Sequence, residues 1–367
     1  MLPEERLELR NANIYHVPQW DGDYHGWLKQ TNLLEIFREV RYADEEKHLL
    51  WDLPGHGYAY FDCGKIMVKG CDHVEDHPDR KVFGRVFKRN CRRKQCPICY
   101  ESWATSEAER ALIRFSSFIS GSKMIDRLIL KLKKKMLKDP IPRQIFHHVL
   151  VFKLEKLASA RRYRPIHVVL SPPPNTYMNG YDAYRNLRKM AYALARSHGL
   201  YGGALIFHPY RLKCSVCGSA IPDYKKQCFS CGSSTFLWFF SPHFHFVGYG
   251  WIHMSKEAYS RHGWVIKNLG VRDSLFATFQ YLLSHAGVNG NFHTTTWFGK
   301  LAYNLMGMVP KVGSLIEICP FCRRPLMPLL WIGGEDRPPP KLEYSDDPFE
   351  NHFLGDPLDW RSGYHQF

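Results

Sequence analysis

The sequence predicts an α+β fold, in which an antiparallel sheet has helices packed on one side and cysteine-rich modules appended to it. Three observations predict it. The run Ile166–Ser171, Tyr181–His198 and Ala204–Phe207 reads as strand, helix and strand. A later stretch, Trp238-Phe-Phe-Ser-Pro-His-Phe-His-Phe-Val-Gly248, alternates between two faces, with His243, His245 and Val247 on one and Phe244 and Phe246 on the other. Between these strands lie two Cys-x2-Cys-Gly knuckles.

Taken in order, residues 1–60 mix polar and aromatic residues without sustained periodicity and form an N-terminal segment. Residues 61–160 form a cysteine-bearing and basic helical region. Its clearest part is Cys91-Arg-Arg-Lys-Gln-Cys-Pro-Ile-Cys99. Four thiolate or imidazole ligands close a structural zinc site, and Cys71, Cys91, Cys96 and Cys99 are the favoured set. His73 competes for the place of Cys71, and Cys63 and His77 are further candidates. Arg92, Arg93 and Lys94 surround the knuckle, beside Lys88 and Arg89, as candidate phosphate contacts. Trp103, Ala104, Ala108, Ala111, Leu112 and Phe115 mark one face of a helix from Tyr100 to about Phe118. A second helix, Met124–Leu137, carries Lys133, Lys134 and Lys135 as candidate DNA contacts, and Pro140 and Pro142 end it.

Residues 161–310 form the main domain. Leu187, Ala191, Leu194 and Ala195 give its first helix an apolar stripe, and Gly199 is placed to stop it. The knuckles Cys214/Cys217 and Cys228/Cys231 are the signature of a zinc ribbon inserted at 210–236, each glycine allowing the positive-φ turn under the metal. The helix Ser274–His285 has an apolar face of Leu275, Phe276, Phe279, Leu282 and Leu283, which leaves Tyr281 and His285 on another side, one turn apart. Residues 311–334 contain a further knuckle, Cys319-Pro-Phe-Cys322, which either borrows ligands such as Cys63 or a histidine, or holds no metal. Residues 335–367 read as an acidic, Pro-rich flexible tail.

Composition narrows the class. A hydrophobic fraction of 45% and an aromatic fraction of 14% exclude a mostly disordered chain. The net charge of +15 divides into +20 before Glu335 and −5 from Glu335 onward. A basic body of this kind meets a polyanion, nucleic acid first. No apolar run approaches the ~20 residues of a membrane span. The charged start Met-Leu-Pro-Glu-Glu-Arg lacks the apolar core of a signal peptide. The expected location is therefore the cytoplasm, without a membrane partner. There thiols stay reduced, and eleven cysteines imply zinc, in two structural sites, rather than disulfides.

At His243-Phe-His245 followed by Tyr281, the chain resembles the HUH endonuclease superfamily of rolling-circle initiators, relaxases and single-strand transposases. The Cys-Pro-x-Cys region, the ribbon and Tyr281-Leu-Leu-Ser-His-Ala-Gly287 are similar to replication initiators of archaeal plasmids and viruses. The resemblance implies that His243 and His245 ligate Mg²⁺ or Mn²⁺. His285 would be the third ligand, and Tyr281 the nucleophile that nicks single-stranded DNA at an origin and rejoins it. A host helicase and polymerase would complete replication. Tyr303 is a second candidate tyrosine, and no lysine follows Tyr281 by one turn. A transposase or relaxase, or a non-catalytic zinc-dependent DNA-binding protein, are the alternative functions.

Overall fold

The computed structural model describes residues 41–42, 50–138, 143–159, 164–177, 180–221, 227–252, 255–306, 317–334, 337–345, 347 and 350–363. Most of the predicted N-terminal segment, Pro140 and Pro142 lie outside the described residues, as does the start of the 311–334 segment.

Two sheets organise these residues. The larger contains β1 (Arg41–Tyr42), β4 (Ile166–Ser171), β5 (Leu200–Cys214), β6 (Ala220–Ile221), β7 (Phe236–Gly250), β8 (Val265–Val271) and β9 (Thr295–Gly299). Its order is β6-β5-β7-β4-β8, with β9 on the outer edge of β5. All of these pairings are antiparallel; only the short β1 lies parallel to β7. The smaller sheet has the order β11-β3-β2-β10-β12, from β2 (Ile66–Cys71), β3 (Val82–Lys88), β10 (Met327–Trp331), β11 (His352–Gly355) and β12 (Trp360–Ser362).

Helices cover both faces of the larger sheet, not one as the sequence suggested. Alternation along the strands explains why: both faces are apolar. Phe244, Phe246, Leu205 and Phe207 point into a core with Tyr184, Ala191, Leu194 and Ala195 of α4 (Tyr181–Ser197). Ala204, Ile206, Val247 and Tyr249 point the other way. There they meet α1 (Tyr100–Ser120), α2 (Ser122–Lys138), α3 (Arg143–Ser159) and α6 (Leu275–Ser284). The basic helical region thus shares a core with the sheet. The remaining α-helices among the described residues are α5 (Ser255–His262) and α7 (Tyr303–Met306). Among the described residues, no helix is long and apolar enough to cross a membrane.

Two sequence expectations are corrected here, and α3, α5 and β8 fall in stretches where the sequence named no individual element. The strand expected over Ala204–Phe207 continues to Cys214, through Pro209, because a register shift between His208 and Tyr210 accommodates the missing amide. The expected flexible tail contributes β11 and β12, which pair with β3 and β10 and close the smaller sheet. Trp360 is buried there with Val68, Val82 and Leu329. A few apolar anchors in an acidic, proline-rich segment were enough to order it.

Candidate metal centres and the tyrosine helix

Among the described residues, four groups of side chains have donor atoms within 4.8 Å of one another, the spacing that could hold a metal ion. Two are four-cysteine clusters, one is three cysteines and a histidine, and one is three histidines.

The ribbon is as the sequence placed it. Cys214 ends β5, the Cys228–Cys231 knuckle lies in the turn that leads into β7, and cross-pairs Cys214–Cys231 and Cys217–Cys228 each stand 3.5 Å apart, sulfur to sulfur. Gly218 and Gly232 follow the second cysteine of each knuckle at φ 72° and 74°. Hydrogen bonding to Ser219, through its hydroxyl and its backbone amide, pulls the Cys217 thiol down to about 6, towards the thiolate that zinc requires.

The cluster at the start of α1 is Cys63, Cys91, Cys96 and Cys99. Cys63, a reserve candidate in the sequence, holds the place expected for Cys71, and His73 is not in the group. Cys71 instead joins His77, Cys319 and Cys322. The reason is the pairing of β2 with β10, which sets Gly70 opposite Met327 and brings the end of β2 to the Cys319 knuckle. Cys71 and Cys322 are 3.4 Å apart, and Cys319 Sγ is 3.2 Å from His77 Nε2. His77 Nδ1 donates to the Lys81 carbonyl at 2.9 Å, so Nε2 bears the lone pair that faces the thiols. Arg323 follows the knuckle at φ 64°, the position glycine fills twice in the ribbon. That substitution hid the third site. The two four-cysteine clusters and this three-cysteine, one-histidine cluster have donor sets suited to zinc, one more than the two sites expected.

The fourth group lies on the face of the larger sheet covered by α6. It contains His243 and His245 of β7, as expected, and His208 of β5, which register places directly opposite His243. His208 was missed because the sequence reading ended its strand one residue earlier, at Phe207. Hydrogen bonds set the tautomers. His208 Nε2 donates to the Leu282 carbonyl at 2.9 Å, leaving Nδ1, which is buried and has no partner among the described residues, as its lone-pair nitrogen. His243 Nδ1 donates to the Ser241 carbonyl at 2.8 Å, so the lone pair of its neutral ring is on Nε2. His245 Nδ1 lies 2.7 Å from His167 Nε2, and Arg272 Nη2 donates to His167 Nδ1 at 2.9 Å. Since an arginine only donates, neutral His167 carries its proton on Nε2 and gives that hydrogen bond to His245.

Electrostatics keep His167, His208 and His245 neutral. Burial, reinforced by Arg272, pushes His167 down to about 3. Burial first, and the neighbouring imidazoles second, hold His208 and His245 well below the usual histidine range. Neutral imidazole is the ligand form. The orphaned, buried Nδ1 of His208 and Nε2 of His245 fit a divalent ion, although ligation through His245 Nε2 must first displace the proton that the His167–Arg272 arrangement places there.

Tyr281 is half-buried on α6, its ring edge-on to His285 with centroids 5.0 Å apart. His285 stands 4.2 Å from His208 by the same measure, so a single imidazole separates the tyrosine from the histidine group. His285, the ligand that the resemblance implied, is thus outside the group, and its Nδ1 donates to Ser284 Oγ at 3.0 Å. Tyr303 sits elsewhere, its ring 4.8 Å from the buried Arg114 guanidinium.

The candidate DNA contacts separate in the structure. Arg92, Lys134 and Lys135 are exposed, whereas Arg93 and Lys133 are partly covered. Lys94 turns inward, its Nζ donating to the carbonyls of Asn289 and Phe292 at 3.0 and 3.2 Å and lying 3.3 Å from Thr294 Oγ1. It ties the first cluster to the loop that leaves α6. Comparisons with known protein families, with curated proteins and with solved structures find no match to this chain.

Proposed function

We propose that the protein is a metal-dependent DNA strand nickase and joining enzyme of the HUH type that initiates rolling-circle replication. The observation carrying this reading is the convergence of His208, His243 and His245 on one point, with Tyr281 one ring away. The basic body suits a polyanionic substrate.

In the proposed step the Tyr281 hydroxyl oxygen attacks the scissile phosphorus. The Tyr281 O–P bond forms and the P–O3′ bond breaks. The electron pair leaves on O3′, which takes a proton to become a 3′-hydroxyl, while the phenolic proton passes to solvent. The product is a 5′-phosphotyrosine, and the reverse attack by a 3′-hydroxyl rejoins the strand. A divalent ion, Mg²⁺ or Mn²⁺, held by His208, His243 and His245 would supply stabilisation of the charge that develops on the phosphate oxygens. The chain's own part is to hold His208 and His245 neutral and to present Tyr281 from a capped helix. A phenol with an ordinary pKa near ~10 is a poor nucleophile without such an environment. The host's helicase and polymerase would extend the freed 3′ end.

One observation favours the competing reading of a non-catalytic, zinc-dependent DNA-binding protein: His208 is 0% exposed, as a packing residue would be. The two readings part on His208→Ala. Purified protein incubated with Mn²⁺ and single-stranded DNA from its own replicon should nick one site, and His208→Ala and His243→Ala should lose nicking while retaining zinc and DNA binding. Wild-type protein that binds the fragments tightly and cuts none of them sinks the enzyme reading. A transposon end or transfer origin preferred over a replication origin would move the protein to another branch of the same chemistry.

A further inference from the structure

Tyr58, Tyr60 and Phe61 lie beside the first cysteine cluster, belong to none of the apolar cores, and are 93%, 57% and 85% exposed. Burial does not explain three rings in four residues. Nor is this a loose loop. Gly57 N donates to the Gln95 carbonyl at 2.8 Å, Gly64 N to Arg89 at 3.0 Å and Arg89 N to Lys65 at 2.9 Å. Cys63 N closes the turn onto the Tyr60 carbonyl at 2.9 Å, and Cys63 itself belongs to the four-cysteine cluster. The rings are therefore displayed on a backbone pinned from both sides to the knuckle.

Cations are layered onto them. The Arg93 guanidinium lies 3.4 Å from the Tyr60 ring centre and donates to the Tyr58 carbonyl at 3.2 Å. Lys65 Nζ lies 4.8 Å over Phe61. With Arg89 and the exposed Arg92, these cations outnumber the acid of the loop, Asp62, which is paired with Lys65 and Arg89. Even after the two negative charges of a zinc tetrathiolate, the patch keeps an excess of positive charge.

We propose that this loop and knuckle form a stacking platform for single-stranded DNA, separate from the histidine group and independent of strand cleavage. The chemistry selects that ligand. Exposed rings on a rigid turn offer faces to unpaired bases, and the interleaved cations meet the phosphates between them. A duplex keeps its base faces stacked internally and can use only the cations. An apolar protein surface would strand Arg93 and Lys65. The platform is also fastened, through Lys94, to the loop that leaves the Tyr281 helix, so a strand held here lies on an element coupled to that helix.

The test uses the full-length, zinc-loaded protein in buffer without Mg²⁺ or Mn²⁺, so cleavage plays no part. Fluorescence anisotropy with a labelled oligothymidylate should show Tyr60→Ala and Phe61→Ala each weakening binding about fivefold or more, and the pair about 25-fold. Binding of a duplex of equal length should change less than about twofold. The double variant Tyr60→Phe with Phe61→Tyr, which keeps both ring faces, should bind like the parent. Separately, photocrosslinking of the unsubstituted protein to an oligonucleotide bearing 5-iodouracil should mark Tyr58, Tyr60 or Phe61, whether or not the alanine variants fold. The platform is overturned if the double alanine variant binds within twofold of the parent. It also fails if single-strand and duplex affinities fall in step, or if crosslinks map only elsewhere.

Discussion

Glu155 of α3 reaches across to the first turn of α6 and caps the helix that carries Tyr281. One carboxylate oxygen accepts from Phe276 N at 2.8 Å and from Ser274 Oγ at 2.9 Å, and the other accepts from Leu275 N at 3.3 Å. Ser274 is itself the N-cap, its hydroxyl oxygen accepting from Ala277 N at 3.1 Å. Two orphan amides of the helix start are thus satisfied by a side chain from another helix, and the negative charge sits at the positive end of the helix dipole. Each bond to an ionised acceptor contributes ~1.5–3 kcal/mol, so the two short ones give about 3 kcal/mol at the low end of that range. The low end applies because burial outweighs those hydrogen bonds and holds the Glu155 carboxyl above the usual carboxylate range, so what Glu155→Ala loses is the acceptor of two amides and a hydroxyl, not a favourable charge. Glu155→Ala should therefore destabilise the protein by about 3 kcal/mol. Glu155→Gln, which keeps one accepting oxygen, should cost about half as much. Ser274→Ala alone should cost about 1 kcal/mol. The double Ala variant should fall short of additivity, since the two residues share a bond. Urea unfolding of the zinc-loaded protein measures all four, and amide exchange at Leu275–Thr278 should quicken in Glu155→Ala. A Glu155→Ala stability within ~0.5 kcal/mol of the parent would refute the capping argument.

Further expectations concern the metals and the histidines. Elemental analysis should find three zinc ions per chain, and Cys319→Ser should lose one and expose the segment bearing β10–β12 to proteolysis; a zinc content of two with Cys319 intact contradicts the third site. Because the folded protein holds His167 at about 3, the unfolded chain binds its proton first, and stability falls as pH drops below about 6.5. At pH 5 this term reaches about 2 kcal/mol, so His167→Gln should lose that much less stability than the parent between pH 7 and 5, read from paired denaturation curves. Arg272 enforces the wrong tautomer for ligation by His245; Arg272→Gln, whose carboxamide oxygen can accept from His167 Nδ1, should tighten Mn²⁺ binding by ~10-fold or more in titrations followed by electron paramagnetic resonance, and weaker binding would undo that argument.

The sequence revealed those parts of the fold that depend on local pattern. The ribbon was legible because its spacing and its two glycines are dictated by turn geometry, and β4 and β7 because alternation marked their faces. The third cluster was not, since it depends on β2 pairing with β10 across some 250 residues, and Arg323 occupies the turn position that glycine had advertised elsewhere. His208 was hidden by Pro209, which argues against a central strand unless a bulge is already known. His167 was in view on a strand read correctly, yet its role appears only when β4 lies beside β7 and Arg272 fixes its proton. Lys94, one of a run of cations, could be told from its neighbours only by the carbonyls it meets.

The most direct test of the nickase account is the identity of the covalent link. Protein incubated with Mn²⁺ and single-stranded origin DNA labelled on the 3′ side of the nick should give a denaturant-resistant adduct. Proteolysis and mass spectrometry should place the nucleotide on the peptide containing Tyr281, and Tyr281→Phe should form no adduct while binding the same DNA. An adduct mapped to Tyr303 or another residue, or one that persists in Tyr281→Phe, would contradict the account.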